Sequence, residues 1–473
     1  MVRTIFLAFA AAFLPFSATA QVPDTLGTGG PEELKIGFGA EVGLLRAENS
    51  QGEKENYFSA VLLPTFSKGM WTAGARIRLR LNEGGFREED YDGFSDILSI
   101  ARFVQYGEEP ITDSPTSELY ARFGALDYVR LGYGQLIGEY RNTLSADRPQ
   151  IGIEGSRGVK GRMVSGMFSS LTRPGVFGAR GSFWPYQQRE GHQFQEALVG
   201  VTVAGDLSRD GQFVNPDAPG VPYVDVHGFQ NPLVGIVPGE SDGSLVMASV
   251  DVGMPLYLEQ FDELIAYTEL AKILGHGSGL SVGLNGTRLR KGILVETWLE
   301  QRLIGKEYLP NYFNSLYEAE RIQTTEIDLG DGTTIPGFQT KRNRLAGQNK
   351  TLIGTFIAVE AEVKGKYRFR TSFEEIWNQP KGGWFHIDVR VRDPALPYEV
   401  RLMFDRVNVG QLEDIWSGPS GNGILRLDLA YAFWEQVLLG FRFRQSFEPV
   451  ERLGRIVGQN KRTRIEPNFV IRL

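Results

Sequence analysis

The sequence predicts an all-β fold, a transmembrane antiparallel β-barrel, and three observations carry that prediction. Short segments of strict apolar/polar alternation recur along the chain. The connections between them alternate between short and long. Beyond the first twenty residues no apolar run approaches the eighteen residues or so that a spanning helix needs.

Alternation matters because successive side chains of a strand point to opposite faces, so a membrane-spanning strand shows about ten residues of apolar-out, polar-in pattern. Leu34, Ile36, Phe38, Ala40, Val42 and Leu44 alternate with Lys35, Gly37, Gly39, Glu41 and Gly43. Trp71, Ala73, Ala75, Ile77, Leu79 and Leu81 alternate with Thr72, Gly74, Arg76, Arg78 and Arg80. The same pattern runs through 363–373, 385–392 and 425–433. Soluble antiparallel sheets also alternate, so the connections supply the second, independent signal. From residue 289 onward the breaks fall at 289–292, 304–349, 361–362, 374–383, 393–397, 408–422, 434–435 and 447–461, short and long by turns. A barrel with short turns at one mouth and long loops at the other has this parity.

The N-terminal half is less regular. Candidate strands near 57–66, 97–104, 118–125, 127–134, 158–169, 176–184, 195–205, 244–254, 262–272, 279–288 and 293–303 bring the count to sixteen to twenty, with eighteen expected. Residues 135–157 fall on the short-turn side in this parity and are too long for a turn there.

Residues 1–20 read as a secretory signal: Arg3 supplies positive charge, 4–14 an apolar run, and Ala18-Thr19-Ala20 a small-residue cleavage site. The remainder, 21–473, is expected to be a single barrel domain with large external loops at 206–243 and 304–349. With no cysteine, neither a disulfide scaffold nor a thiolate metal site can form.

The final segment, 463–473, places Ile465, Phe469, Ile471 and Leu473 on one face and runs to the end of the sequence. A chain ending on an amphipathic strand resembles the outer-membrane β-barrels of Gram-negative bacteria. The resemblance implies export to the outer membrane, contact with its lipid, and recognition of the last strand by the barrel-assembly machinery. Ending in Leu rather than Phe or Trp is a departure from that pattern. Porins and polysaccharide-export barrels of this length both fit.

Nothing points to an enzyme or a cofactor. The four histidines (His192, His227, His276, His386) lie in no nucleophile or zinc motif, and 275–279 has its serine in the wrong place for a nucleophile elbow. Asp206, Ser208, Asp210, Gly211 and Asp217 match part of a calcium-loop spacing, but no helical pattern brackets them and Asp replaces the bidentate Glu, so an Asp/Gly-rich loop is the expectation. Asp331-Gly332, between 324–329 and 333–338, predicts a hairpin on a type I′ turn inside the long loop.

The polar faces carry the functional expectation. Arg76, Arg78 and Arg80 form one basic ladder and Lys364, Lys366, Arg368 and Arg370 a second, extended by Arg390, Arg392, Arg442 and Arg444. Glu263, Glu269, Glu296 and Glu300 lie on the polar faces of the middle strands. In a closed barrel the last strand neighbours the first, which would gather the basic strands into one wall facing an acidic one. Like charges lining a narrow aqueous pore focus potential and select ions, so a channel for small anionic solutes or an acidic polysaccharide is expected. One competing expectation is that arginines merely fill the lumen with cross-strand charge pairs; another is a non-conducting surface barrel whose external loops, especially 206–243 and 304–349, bind a partner or an envelope layer. Tyr308, Tyr312, Phe313 and Tyr317 in the 304–349 loop would suit a lid over the pore or an adhesive patch. The net charge of −7 reflects acidic loop segments such as 83–96, and no basic patch of the nucleic-acid kind is present.

Overall fold

The computed structural model describes residues 34–48, 54–82, 85–87, 100–108, 113, 118–144, 150–187, 194, 196–208, 223–224, 244–328, 334–363, 366–379, 382–393, 395–410, 412–415, 423–434, 437–452 and 455–471. Its strands are, in order, β1 (Lys35–Glu48), β2 (Lys54–Lys68), β3 (Trp71–Ala75), β4 (Ile77–Asn82), β5 (Gly85–Phe86), β6 (Ala101–Tyr106), β7 (Tyr120–Gly124), β8 (Val129–Leu131), β9 (Ile137–Tyr140), β10 (Gly152–Val159), β11 (Arg162–Phe168), β12 (Val176–Phe183), β13 (Leu198–Asp206), β14 (Tyr223–Val224) and β15 (Leu245–Pro255). There follow β16 (Glu263–Ile273), β17 (Ser278–Arg290), β18 (Ile293–Ile304), helix α1 (Tyr317–Glu320), β19 (Ile322–Asp328), β20 (Thr334–Thr340) and helix α2 (Lys341–Gly347). The chain then completes β21 (Leu352–Val363), β22 (Tyr367–Ile376), β23 (Gly383–Val391), β24 (Tyr398–Val409), β25 (Gly423–Trp434), β26 (Val437–Arg452) and β27 (Arg455–Ile471).

One 22-stranded sheet contains all of these except the β8–β9 pair and the small β14–β20–β19 sheet. The ladders of that sheet are antiparallel between chain neighbours, with β18 passing directly to β21. β3 and β4 both pair with β2 and form one stave broken at Arg76, and β5 only closes a hairpin on β4. Among the described residues twenty staves remain, two more than the eighteen expected and at the upper end of the expected range. β1 and β27 run side by side, although no ladder joins them among the described residues.

Burial follows the alternation. On β15, Met247, Ser249 and Asp251 are buried while Val250 is 51% exposed; on β16, Tyr267, Glu269 and Ala271 are buried while Leu270 is 58% exposed. Polar groups inside and apolar groups outside invert the arrangement of a soluble sheet and suit one surrounded by lipid. Exposed aromatics lie toward both mouths: Trp71, Phe183, Tyr257, Tyr398, Tyr431, Phe433 and Trp434 near the short turns, and Phe58, Phe86 and Trp377 toward the long-loop side. Such girdles mark the membrane interfaces of a barrel. The short turns are tight. Lys291 and Gly292 between β17 and β18 both have positive φ, as do Lys160 and Gly161 between β10 and β11, the backbone that two-residue hairpins require.

Three expectations are corrected. Residues 127–134 are not a stave, because 125–151 leaves the wall between β7 and β10. That connection emerges at the long-loop mouth, not the short-turn side assigned to 135–157, and the last of those residues already belong to β10. The expected long loop at 447–461 is instead an extended β26–β27 hairpin with only 453–454 between its strands.

Candidate functional site

Two long connections from the same mouth fold into the bore and meet. The first, 125–151, carries Leu126, Leu136, Ile137 and Tyr140, each at most 1% exposed; the second, 305–351, carries Tyr308, Tyr312 and Phe313, equally buried. They join through backbone bonds. Asn311 N donates to Gln135 O (2.8 Å), Phe313 N to Leu136 O (3.0 Å) and Gly138 N to Phe313 O (3.2 Å). Gly138 allows this approach, since a Cβ there would lie 2.6 Å from Asn311 Oδ1 and 2.9 Å from Gly134 O. Tyr128 and Glu139 hold left-handed backbone at φ 64° and 61°, a conformation that bulky residues adopt only where surrounding contacts impose it.

This plug is fastened to the wall over a wide arc. Tyr133 stacks on Tyr267 of β16 with ring centroids 3.6 Å apart. The Arg130 guanidinium lies 4.7 Å above the Trp298 ring of β18 and 3.2 Å from Glu139. Ser372 of β22 donates to Glu139 (3.1 Å). Asn142 Nδ2 donates to Ser169 O (2.8 Å). Arg141 pairs with Asp405 of β24, and the same carboxylate accepts from Ser315 (2.6 Å) and stands 2.8 Å from His386 Nδ1. On the far side Asp206 of β13 accepts from Tyr317 (2.5 Å) and pairs with Arg321 (3.1 Å). Asp206, the first position of the partial calcium spacing, is therefore taken up by the plug; Asp210, Gly211 and Asp217 lie outside the described residues.

The aromatic quartet Tyr308, Tyr312, Phe313 and Tyr317 is thus corrected from adhesive patch or lid to plug core, since all four are at most 2% exposed. The predicted hairpin exists as β19–β20, paired from Ile322↔Thr340 to Asp328↔Thr334; its turn, with Asp331 and Gly332, lies outside the described residues. β14 extends it through Tyr223↔Phe338.

At the root of that hairpin Glu320 meets Lys341 (2.5 Å) and Arg344 (3.2 Å). Burial alone would raise its carboxyl, but the two cations outweigh burial and hold it down at about 2. A depressed carboxylate stabilises the fold above its ordinary value of 4.5 and loses that contribution as pH falls through the folded value. Glu320→Gln should therefore lower the melting temperature at neutral pH, and the two melting curves should converge as pH falls from 4.5 toward 2. A gap that stays constant with pH would show that the ionised carboxylate is not what the cations hold.

The residues singled out on the polar faces separate into groups. Arg78 and Arg80 of β4 are buried, and Arg76 sits at the break between β3 and β4, its N–H bonded to Ile100 O. Arg368 pairs with Glu362 (2.7 Å) and Arg370 with Glu360. Arg390 pairs with Asp388 (2.9 Å), and Arg442 (3.0 Å) and Arg444 (4.0 Å) reach Asp428. Two residues stand apart: Lys366 meets Asp393 beside the β21–β22 and β23–β24 turns, and Arg392 is 77% exposed near Glu399. Lys364 lies outside the described residues. Glu300 pairs with Arg302 (2.8 Å), which also holds Glu374. Glu269 accepts from Ser249 (2.7 Å) and Glu296 from Asn285 (3.2 Å). Glu263 is half-buried at the start of β16. Carboxylates thus interleave with the arginines of β21–β26, rather than facing them across the bore.

Arg141, Asp405, Arg180 and Arg321 escaped the sequence reading. Arg180 Nη1 lies 2.5 Å from Asp251 and its Nε 2.6 Å from Asp113. A signal for the plug was present: the apolar stretch 126–144 with Gly132, Gly134 and Gly138 is too glycine-punctuated for a stave and too apolar for a solvated loop.

No family model and no curated protein matches the chain. Solved structures that resemble it include Wzi, an Escherichia coli outer-membrane protein involved in group 1 capsule assembly, with 11% identity, TM-score 0.32, and 94% of this chain and 84% of that one covered. OccK11 of Pseudomonas aeruginosa gives 8% identity and TM-score 0.28, with 93% and 95% covered. The ferric enterobactin receptor of the same organism gives 8% identity and TM-score 0.32, with 94% and 81% covered. With antiparallel staves, an apolar outer face and a polar inner face, the described residues have the sidedness of a transmembrane antiparallel β-barrel wall.

Proposed function

We propose that the protein is an occluded outer-membrane barrel, closed to passive flow in this state, whose working surface is the long-loop mouth. The observation that carries this reading is the plug itself: two connections hydrogen-bonded to each other and ion-paired to walls on opposite sides of the bore. Export through the signal ending near Ala20, and assembly through the last strand, belong to the same reading. A channel for small anionic solutes or an acidic polysaccharide is the second reading, favoured by the arginines of β22–β26, and it requires the plug to withdraw.

Planar-bilayer recording tests the first reading. The intact protein should show no steady open-pore conductance, and replacing 128–142 by a short Gly/Ser link should produce it. Steady porin-like conductance from the intact protein would overturn the occluded reading.

A further inference from the structure

Across β22, β23 and β24 the register sets three arginines directly opposite one another, Arg368↔Arg390 and Arg390↔Arg401. Like charges directly opposite on neighbouring strands destabilise a sheet. The carboxylates nearby are shared thinly. Asp388 is 2.9 Å from Arg390 and 3.9 Å from Arg401, and Asp428, 2.6 Å from Arg426, also serves Arg442 and Arg444. Arg401 Nε has no hydrogen-bond partner among the described residues. Unlike the sealed plug contacts, these side chains remain reachable: Arg368, Arg390, Arg401 and Arg426 are 30%, 31%, 21% and 23% exposed.

We propose that Arg368, Arg390, Arg401 and Arg426 form a binding site, on the short-turn side of the bore, for a multiply charged oxyanion ligand bearing carboxylate or phosphate groups. A guanidinium stays charged at any working pH and offers a planar fork that pairs with either group through two hydrogen bonds. An anion entering from the short-turn mouth would relieve the repulsion among the three opposed arginines. The plug already supplies one such group. Asp127, which accepts from Thr143 (2.9 Å), has its carboxyl raised by burial, but Arg401, Arg390 and Arg122 reverse this and hold it well below the usual carboxylate range. The site needs neither withdrawal of the plug nor conduction, so it goes beyond both readings of function.

The test is calorimetric titration of the detergent-solubilised full chain at low salt, with inorganic tripolyphosphate in one arm and a uronic-acid trimer in the other. Binding in either arm supports the site, and the tighter arm identifies the group it prefers. The double variant Arg390→Gln, Arg401→Gln should weaken binding at least about tenfold, a loss of about 1.4 kcal/mol, since it removes two charge-assisted pairings. Asp127→Asn should tighten binding by removing the resident carboxylate. Arg290→Gln, an exposed cation at the end of β17, should leave the affinity unchanged. Heat-modifiable gel migration establishes that each variant is folded. No binding by the intact protein, or equal weakening by Arg290→Gln and the double variant, would overturn the proposal.

Discussion

Gly178→Leu should unseat the plug and give an open conductance, whereas Gly181→Leu, three residues along the same strand, should give none. A Cβ at Gly178 would fall 2.4 Å from Ile137 Cδ1 and 2.6 Å from Leu131 Cδ1, both on the plug, while a Cβ at Gly181 meets nothing within 4 Å. Neither glycine has the positive φ that would make substitution costly by itself. Overpacking a dense contact costs about 1–3 kcal/mol when neighbours can yield only slightly. Here the wall is tied by ladders on both sides, to β11 and β13, and the plug is the part free to give way. Bilayer recordings of the two variants, with folding checked by gel migration, should show frequent openings for Gly178→Leu and none for Gly181→Leu. Silence from a correctly folded Gly178→Leu would mean that the plug accommodates the added volume without losing its seat.

The second large effect should come from Arg141→Met. Its guanidinium is 1% exposed, donates to Ser315 O (3.0 Å), lies 5.6 Å from the Tyr128 ring and pairs with Asp405, which is itself fully buried. Removing one partner of a buried pair leaves the other charge without compensation, at a cost of about 3–5 kcal/mol. Urea unfolding in liposomes should register a loss of that size. Adding Asp405→Leu should recover much of it, because replacing both buried charges by apolar groups removes the uncompensated carboxylate. A single variant within about 1 kcal/mol of the parent would show that the pair is solvated and does not fasten the plug.

Both predictions concern contacts that no local pattern announces. From β21 to β25 the wall was legible because its side-chain period is two, and because short turns and long loops alternate with the mouth they occupy. Arg368, Arg370 and Arg390 could therefore be placed on the polar face from sequence, with the carboxylates that pair with them only two to ten residues away along the chain. The stave β10 was missed because 135–157 reads as one connection and 158–169 as one strand, whereas 152–168 is a hairpin of β10 and β11; 127–134, which alternates like a strand, pairs only within its own hairpin, β8 on β9. β26 and β27 were cut short because their polar ends, 446–462, read as loop but continue as a two-stranded ribbon.

The sequence by itself determined the strand class, the sidedness of the wall residues and the parity of the connections, because each depends on neighbours one or two positions away. Only the tertiary structure decided what the two long connections pack against. Arg141 and Asp405 are 264 residues apart, Tyr140 and Glu318 are 178 apart, and Asp206 and Tyr317 are 111 apart. A buried charge is tolerated only when paired, and the partners of these groups become neighbours only after the sheet has curled and both long connections have turned inward. Composition marks 126–144 as too apolar for a solvated loop, but where it packs is set by the position of the oppositely charged group on the wall, as Asp405 is for Arg141.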